Sequence, residues 1–205
     1  MAAMRTDAAV QIFEDVGAIR HGHFELTSGL HSGTYVQCAL VLQYPKYAEQ
    51  LGRALAAEFM DLRVDCVASP ALGGLIIGHE VARAIPPRAD GKPIRAIFVE
   101  RDSLGTLTLR RGFRVEPDEH VLVVEDVWTT GGSTCETIRV LEEAGARVVA
   151  AGALIDRSGG IIELPVRTEA LVDLKIESFD AAECPLCRSG GVAVKPGSRF
   201  ARTGA

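Results

Sequence analysis

Residues 121–134 read VLVVEDVWTTGGST. Four aliphatic residues in succession suit a strand buried on both faces, which is how central strands of a parallel sheet read. The strand ends in two acids, Glu125 and Asp126, and passes through Thr129, Thr130, Gly131, Gly132 and Ser133 into a helical stretch. Small residues and glycines there let successive backbone N–H groups turn inward at a positively polarised helix N-terminus, a geometry that holds a phosphate. The hydroxyls of Thr129, Thr130, Ser133 and Thr134 can add donors, and the two acids can accept from the vicinal hydroxyls of a sugar. Taken alone, TTGGST also fits an ordinary turn into an N-capped helix. The paired acids directly after VLVV favour a ribose 5-phosphate pocket. No G-x-x-x-x-G-K-[ST] and no G-x-G-x-x-G occurs to compete with it.

Outward from this segment the texture repeats. DCVAS (65–69), IRAIFVE (94–100) and RVVAAGALID (147–156) are short β-prone runs separated by helical stretches at about 74–84 and 133–144, an alternation that implies a parallel sheet flanked by helices. Ile12, Phe13, Val16 and Ile19 lie at helical spacing over residues 8–19, as do Ala48, Leu51, Leu55 and Phe59. Between them TSGLHSG reads as a loop and TYVQ as a short strand. Residues 100–113, with Gly105, Gly112, Arg110 and Arg111, suggest a mobile hairpin projecting from the sheet. The last residues, from Gly197, hold too little apolar side chain to pack.

At 205 residues, 47% hydrophobic and 24% charged, the chain has the composition of one globular domain. A net charge of −5 argues against nucleic-acid binding, which needs a basic footprint. No apolar run approaches the roughly 20 residues of a membrane span and no signal-peptide pattern opens the chain, so a cytoplasmic location without membrane contact is expected. The five cysteines are odd in number and read as reduced thiols. Cys184 and Cys187 form CPLC, half of a zinc knuckle. With no second close cysteine pair the reading is a turn with two free thiols, with metal a lesser alternative unless a dimer supplies the partner pair. His21, His23 and His31 fit no helical pair and read as polar loop residues. His79 is expected to be partly buried and hydrogen-bonded.

The segment VVEDVWTTGGS resembles the phosphoribosyl-pyrophosphate signature of type I phosphoribosyltransferases. FELTSGLHSGTYVQ (24–37), VASPALGGLIIG (67–78) and LIDRSGG (154–160), in that order, resemble the orotate phosphoribosyltransferase family in particular, and CPLCRSG with KPGSR resembles a bacterial branch of it. The resemblance covers nearly the whole chain. It implies a type I phosphoribosyltransferase fold: α/β, a central mostly parallel sheet flanked by helices, a small N-terminal hood and a mobile β-hairpin loop. The chain would be a single domain over 1–205, with helix and hood over about 1–40, core over about 60–180 and a frayed tail over about 197–205.

The resemblance also implies a function: transfer of a phosphoribosyl group from phosphoribosyl pyrophosphate to orotate in pyrimidine (UMP) biosynthesis. Mg²⁺ would be held through substrate oxygens and water with no direct protein ligand, and the chain would act as a homodimer. Phosphoribosyl pyrophosphate would meet Glu125, Asp126, Val127, Trp128, Thr129, Thr130, Gly131, Gly132 and Ser133. Its pyrophosphate would lie against Ala71, Leu72 and Gly73, where the family carries a non-proline cis peptide, and against Arg101. Orotate would meet Arg157, Thr129, Tyr35 and Val36. Arg101 and Asp126 are the candidate catalytic residues. Arg157 alternatively pairs with Asp156 or Glu163 at the surface. The chain departs from the family pattern at Gly73 and Thr27, where many members carry lysine, and in SLGTLTLRR, which lacks the usual lysine and histidine. Arg101, Arg110 or Arg111 would supply the cation instead. A different base as substrate, or a nucleotide-sensing regulator of the same fold, remain the alternatives at this point.

Overall fold

The computed structural model describes residues 6–26, 28–88 and 90–196. Thr27 and the tail from Gly197 lie outside them. Strands β3 (Cys66–Pro70), β4 (Arg95–Arg101), β5 (Leu107–Leu109), β6 (His120–Trp128), β7 (Arg147–Asp156) and β8 (Arg167–Asp173) form one sheet in the order β5-β4-β3-β6-β7-β8. Every pairing is parallel except β4 with the short edge strand β5. The alternation of side chains along a strand splits the core in two. Val67, Leu122, Val124 and Leu154 face one layer with the helices α1 (Thr6–Asp15), α3 (Pro45–Ala57) and α4 (Gly74–Ala84). Cys66, Ala68, Val121, Val123, Ala151 and Ala153 face the other, covered by Ile138 and Leu141 of α5 (Gly132–Glu143). With both faces covered, β6 is buried from Val121 through Glu125, which is why it reads as an unbroken apolar run.

A second sheet stands apart. β1 (Ile19–Glu25) pairs antiparallel with β2 (His31–Val36), and β2 pairs with β9 (Ser178–Phe179). The hood is therefore not purely N-terminal. Val194 also bridges to Phe24, with Glu25 N–H donating to Val194 O and Val194 N–H donating to His23 O, both at 2.9 Å. The first helix ends earlier than its apolar spacing suggests. Gly17 takes φ +67°, Ala18 N–H donates to Phe13 O at 2.8 Å, and Ile19 begins β1 instead of closing the helix. His21, His23 and His31 are consequently strand residues and not loop residues. His79 is exposed on α4. Short helices α2 (Ala39–Leu42) and α6 (Pro185–Arg188) complete the chain. Among the described residues no helix is long and apolar enough to cross a membrane.

Candidate active site

Parallel α/β sheets bind ligands outside the carboxyl ends of their strands. At that edge β6 runs into the loop at Thr129–Thr130, both exposed, and Gly131 caps α5 in the left-handed region at φ +71°. Glycine is needed there twice over: the φ disfavours other residues, and a Cβ would lie 3.1 Å from Ile162 Cγ2.

Adjacent acids on a strand point to opposite sides, and the two acids part accordingly. Glu125 is turned toward α5. Ser133 Oγ donates to its Oε1 at 2.6 Å and Thr134 Oγ1 donates to its Oε2, while Trp128 Nε1–H donates to Thr134 Oγ1 at 2.9 Å. Burial raises the Glu125 pKa, and the two hydroxyls oppose that. Thr134 is fully buried, so its hydroxyl braces the loop and is not offered to a ligand. Trp128, 2% exposed, packs in the core beneath the loop.

Asp126 faces the loop after β3. The Ala71–Leu72 peptide is cis, and Ala71 N–H donates to Val99 O at 2.8 Å. A Cβ on Gly73 would collide with the Asp126 carboxylate, so the glycine found where many family members carry lysine lets the two loops touch. The Asp126 pKa is pushed up to about 6, first by burial and then by the Glu125 charge.

The third group comes from the end of β7. Arg157 N–H donates to Trp128 O at 2.9 Å, which ties the residue to the end of β6 just ahead of the Thr-Gly loop. Its guanidinium is partly buried, and its Nε is buried without a hydrogen-bond partner. No surface pair with Asp156 or Glu163 forms; Asp156 instead accepts from Ser158 N–H at 2.7 Å. Burial lowers the Arg157 pKa, opposed by the neighbouring Cys38 and Tyr35. Cys38, which the sequence reading passed over, is 1% exposed and donates to the Asp126 carbonyl oxygen at 3.6 Å. Burial and the Asp126 charge raise its thiol pKa well above the usual range. A lone cysteine after a strand carries no signal of such a position. Tyr35 is partly buried near Arg157, whereas the Val36 side chain belongs to the core and only its main chain can serve a ligand.

Arg101 is held by the hairpin and by α5. It donates to Gly105 O at 2.5 Å and pairs with Glu136 of α5 at 3.2 Å. The Asp102 carboxylate orders the turn by accepting from Leu104 N–H at 2.8 Å and Thr106 N–H at 3.0 Å. Arg110 and Arg111 pair with Glu100 at 3.8 and 2.9 Å. A cleft of about 490 Å³ lined by Arg63, Asp65 and Arg88 opens at the amino ends of the strands, the wrong edge for this chemistry.

A strand ending in two acids, a glycine-capped helix and an adjoining cis-peptide loop define a phosphoribosyltransferase. Residues 41–180 match the family model described as a phosphoribosyl transferase domain. The orotate phosphoribosyltransferase of Pelotomaculum thermopropionicum is 50% identical over 196 residues, 96% of this chain and 99% of that protein. Among solved structures, the orotate phosphoribosyltransferase of Aeropyrum pernix superposes with a TM-score of 0.61 at 27% identity, over 80% of this chain and 93% of its own. The Mycobacterium tuberculosis orotate phosphoribosyltransferase in complex with inorganic phosphate gives 0.66 at 25% identity, over 81% and 95%. This chain belongs to the orotate phosphoribosyltransferase family.

Proposed function

We propose that this chain transfers the 5-phosphoribosyl group from phosphoribosyl pyrophosphate to orotate, forming orotidine 5′-monophosphate and pyrophosphate for UMP synthesis. The observation that carries the choice of base is Arg157, a partly buried guanidinium with an unpartnered Nε beside Tyr35, tethered to the loop at Trp128. Orotate differs from uracil by a carboxylate. A planar guanidinium meets that group through two charge-assisted hydrogen bonds.

In this reading the backbone of Thr129–Ser133 holds the 5-phosphate and Asp126 accepts from the ribose hydroxyls. The main chain at Ala71, Leu72 and Gly73 holds pyrophosphate, and Thr129 and the main chain of Val36 border the base. Departure of pyrophosphate leaves C1 of the ribose oxocarbenium-like, so the chain's task is to hold the orotate nitrogen in line and keep water out; no covalent nucleophile is required. Asp126 must be ionised to stabilise that developing charge. Arg101 reaches the pyrophosphate by exchanging Glu136 for it, with the hairpin acting as a lid.

Mg²⁺ neutralises the pyrophosphate when bound with it. The residues fit an ion carried by substrate oxygens and water: both Glu125 oxygens already accept hydroxyls, which leaves no all-protein carboxylate cage. A homodimer, supported by the family resemblance, completes the reading.

The deciding experiment is steady-state kinetics of Arg157→Ala. Loss of a charged hydrogen bond is worth about 2 kcal/mol, so kcat/KM for orotate should fall about thirtyfold while binding of phosphoribosyl pyrophosphate barely changes. Wild-type orotate kinetics in this variant would remove the role of Arg157 and weaken the case for orotate.

A further inference from the structure

We propose that His23, His31, Cys184 and Cys187 form a structural zinc site that fastens the C-terminal segment to the hood. The sequence holds only one close cysteine pair, and the second pair of ligands is assembled by the sheet. β1 and β2 pair with Glu25 opposite His31. His23 lies in the stretch between His21 and Phe24 where the register of the pair shifts, and this irregularity of β1 leaves its Nε2 2.9 Å from His31 Nδ1. The CPLC turn reaches them as Cys184 caps α6 and Cys187 sits within it. Gly190 at φ +84° and the bridge of Val194 to Phe24 then return the chain along β1.

The four ligand atoms all lie within 4.8 Å of one another. His23 Nε2 is 2.9 Å from His31 Nδ1, 3.6 Å from Cys184 Sγ and 3.6 Å from Cys187 Sγ, and Cys187 Sγ is 3.2 Å from His31 Nδ1. Tetrahedral zinc with its usual bond lengths sets edges of roughly 3.3 Å for N to N and roughly 3.5 Å for N to S. The three N-to-S separations of 3.2, 3.6 and 3.6 Å bracket the second value, and the N-to-N separation of 2.9 Å is shorter than the first.

Hydrogen bonding does not account for the cluster. A ring nitrogen offers one proton or one lone pair, yet His23 Nε2 faces three partners. A cation at the centre satisfies every lone pair together. Cys184 is fully buried and His31 is 9% exposed, so water is a poor substitute. Two imidazoles and two thiolates are the borderline-soft, closed set that suits structural zinc. The expectation of two free thiols at the CPLC turn is replaced by this one. The inference is independent of the transferase chemistry.

The test uses the full-length protein and zinc itself. Metal analysis of protein purified without chelator should give one zinc per chain, and cobalt substitution should give the absorption of a tetrahedral thiolate site. Competition against a chromophoric chelator should show Cys187→Ser and His23→Gln weakening zinc more than roughly 100-fold, beyond the range that outer-shell partners command. Both are partly buried positions that tolerate change better than Cys184. Chelation should lower the Tm of the wild-type chain and leave those variants unmoved, and Cys135→Ser, an exposed cysteine elsewhere, should bind zinc as wild type does. Failure of the wild-type chain to take up zinc, wild-type zinc affinity in the two ligand variants, or a Cys184–Cys187 disulfide in the purified protein would each overturn the site.

Discussion

The hairpin of β4 and β5 and the carboxyl edge of the sheet both carry charge, but they treat it oppositely. In the hairpin Arg101 has Glu136, and Arg110 and Arg111 share Glu100. At the strand ends Asp126 and Arg157 have no ion-pair partner among the described residues, and burial pushes each toward its neutral form. Exposed pairs like those of the hairpin contribute about 0–1 kcal/mol, little enough for an incoming polyanion to replace. Buried charges without counter-ions cost stability and mark places where a ligand completes the electrostatics. The contrast separates charges that the protein itself pairs from charges that it leaves without a counter-ion among the described residues.

The strongest way to break this contrast is Asp126→Asn. Removing the carboxylate that the proposed mechanism sets against the developing positive charge should lower kcat/KM on the order of 100-fold. Stability should move the other way. The folded pKa of about 6 lies above the ordinary 3.8, so the native chain holds its proton more tightly than the unfolded chain. The stabilising contribution is therefore present below about pH 4 and lost as pH rises through about 6. Asparagine should add up to about 3 kcal/mol above that window and nothing below it, read as a pH-dependent Tm difference. A variant less stable than wild type at pH 7 would contradict the assignment of Asp126 as an uncompensated buried charge.

Arg157→Ala, about thirtyfold in kcat/KM for orotate, stands next. On the hairpin side, Glu136→Gln should cost less than about 1 kcal/mol in stability and speed proteolysis of residues 102–106 in the free protein. Phosphoribosyl pyrophosphate should slow that cleavage in wild type; equal rates with and without it would dispose of the lid. Arg111→Ala should be the mildest, below about 0.5 kcal/mol with base selectivity intact. A selectivity change there would place Arg111 in the site.

Where local sequence carries the geometry, it was legible. The run VLVVED, the Thr-Gly loop and the start of α5 follow one another in the chain, and strand burial, left-handed glycine and helix polarity are all backbone properties of contiguous residues. The position of the cis peptide came with the family resemblance, and the structure carries it at Ala71–Leu72. The same locality misled at Ile19, whose apolar spacing continues the helix although Gly17 ends it. It was silent at Cys38, because nothing near that residue announces that Asp126 and Arg157 flank it.

The sequence by itself therefore determined the parallel α/β sheet, the glycine-capped loop into α5 and the family. Only the tertiary structure decided which of these side chains are already engaged: Glu125 is occupied by Ser133 and Thr134, Trp128 is in the core, and Asp126 and Arg157 have no ion-pair partner among the described residues. It alone brought His23 and His31 to Cys184 and Cys187, across more than 150 residues of chain. The reason is physical. A periodic pattern records which way a side chain points from its own element, while the partner it meets depends on sheet order and strand register, and these are set by burial summed over the whole fold.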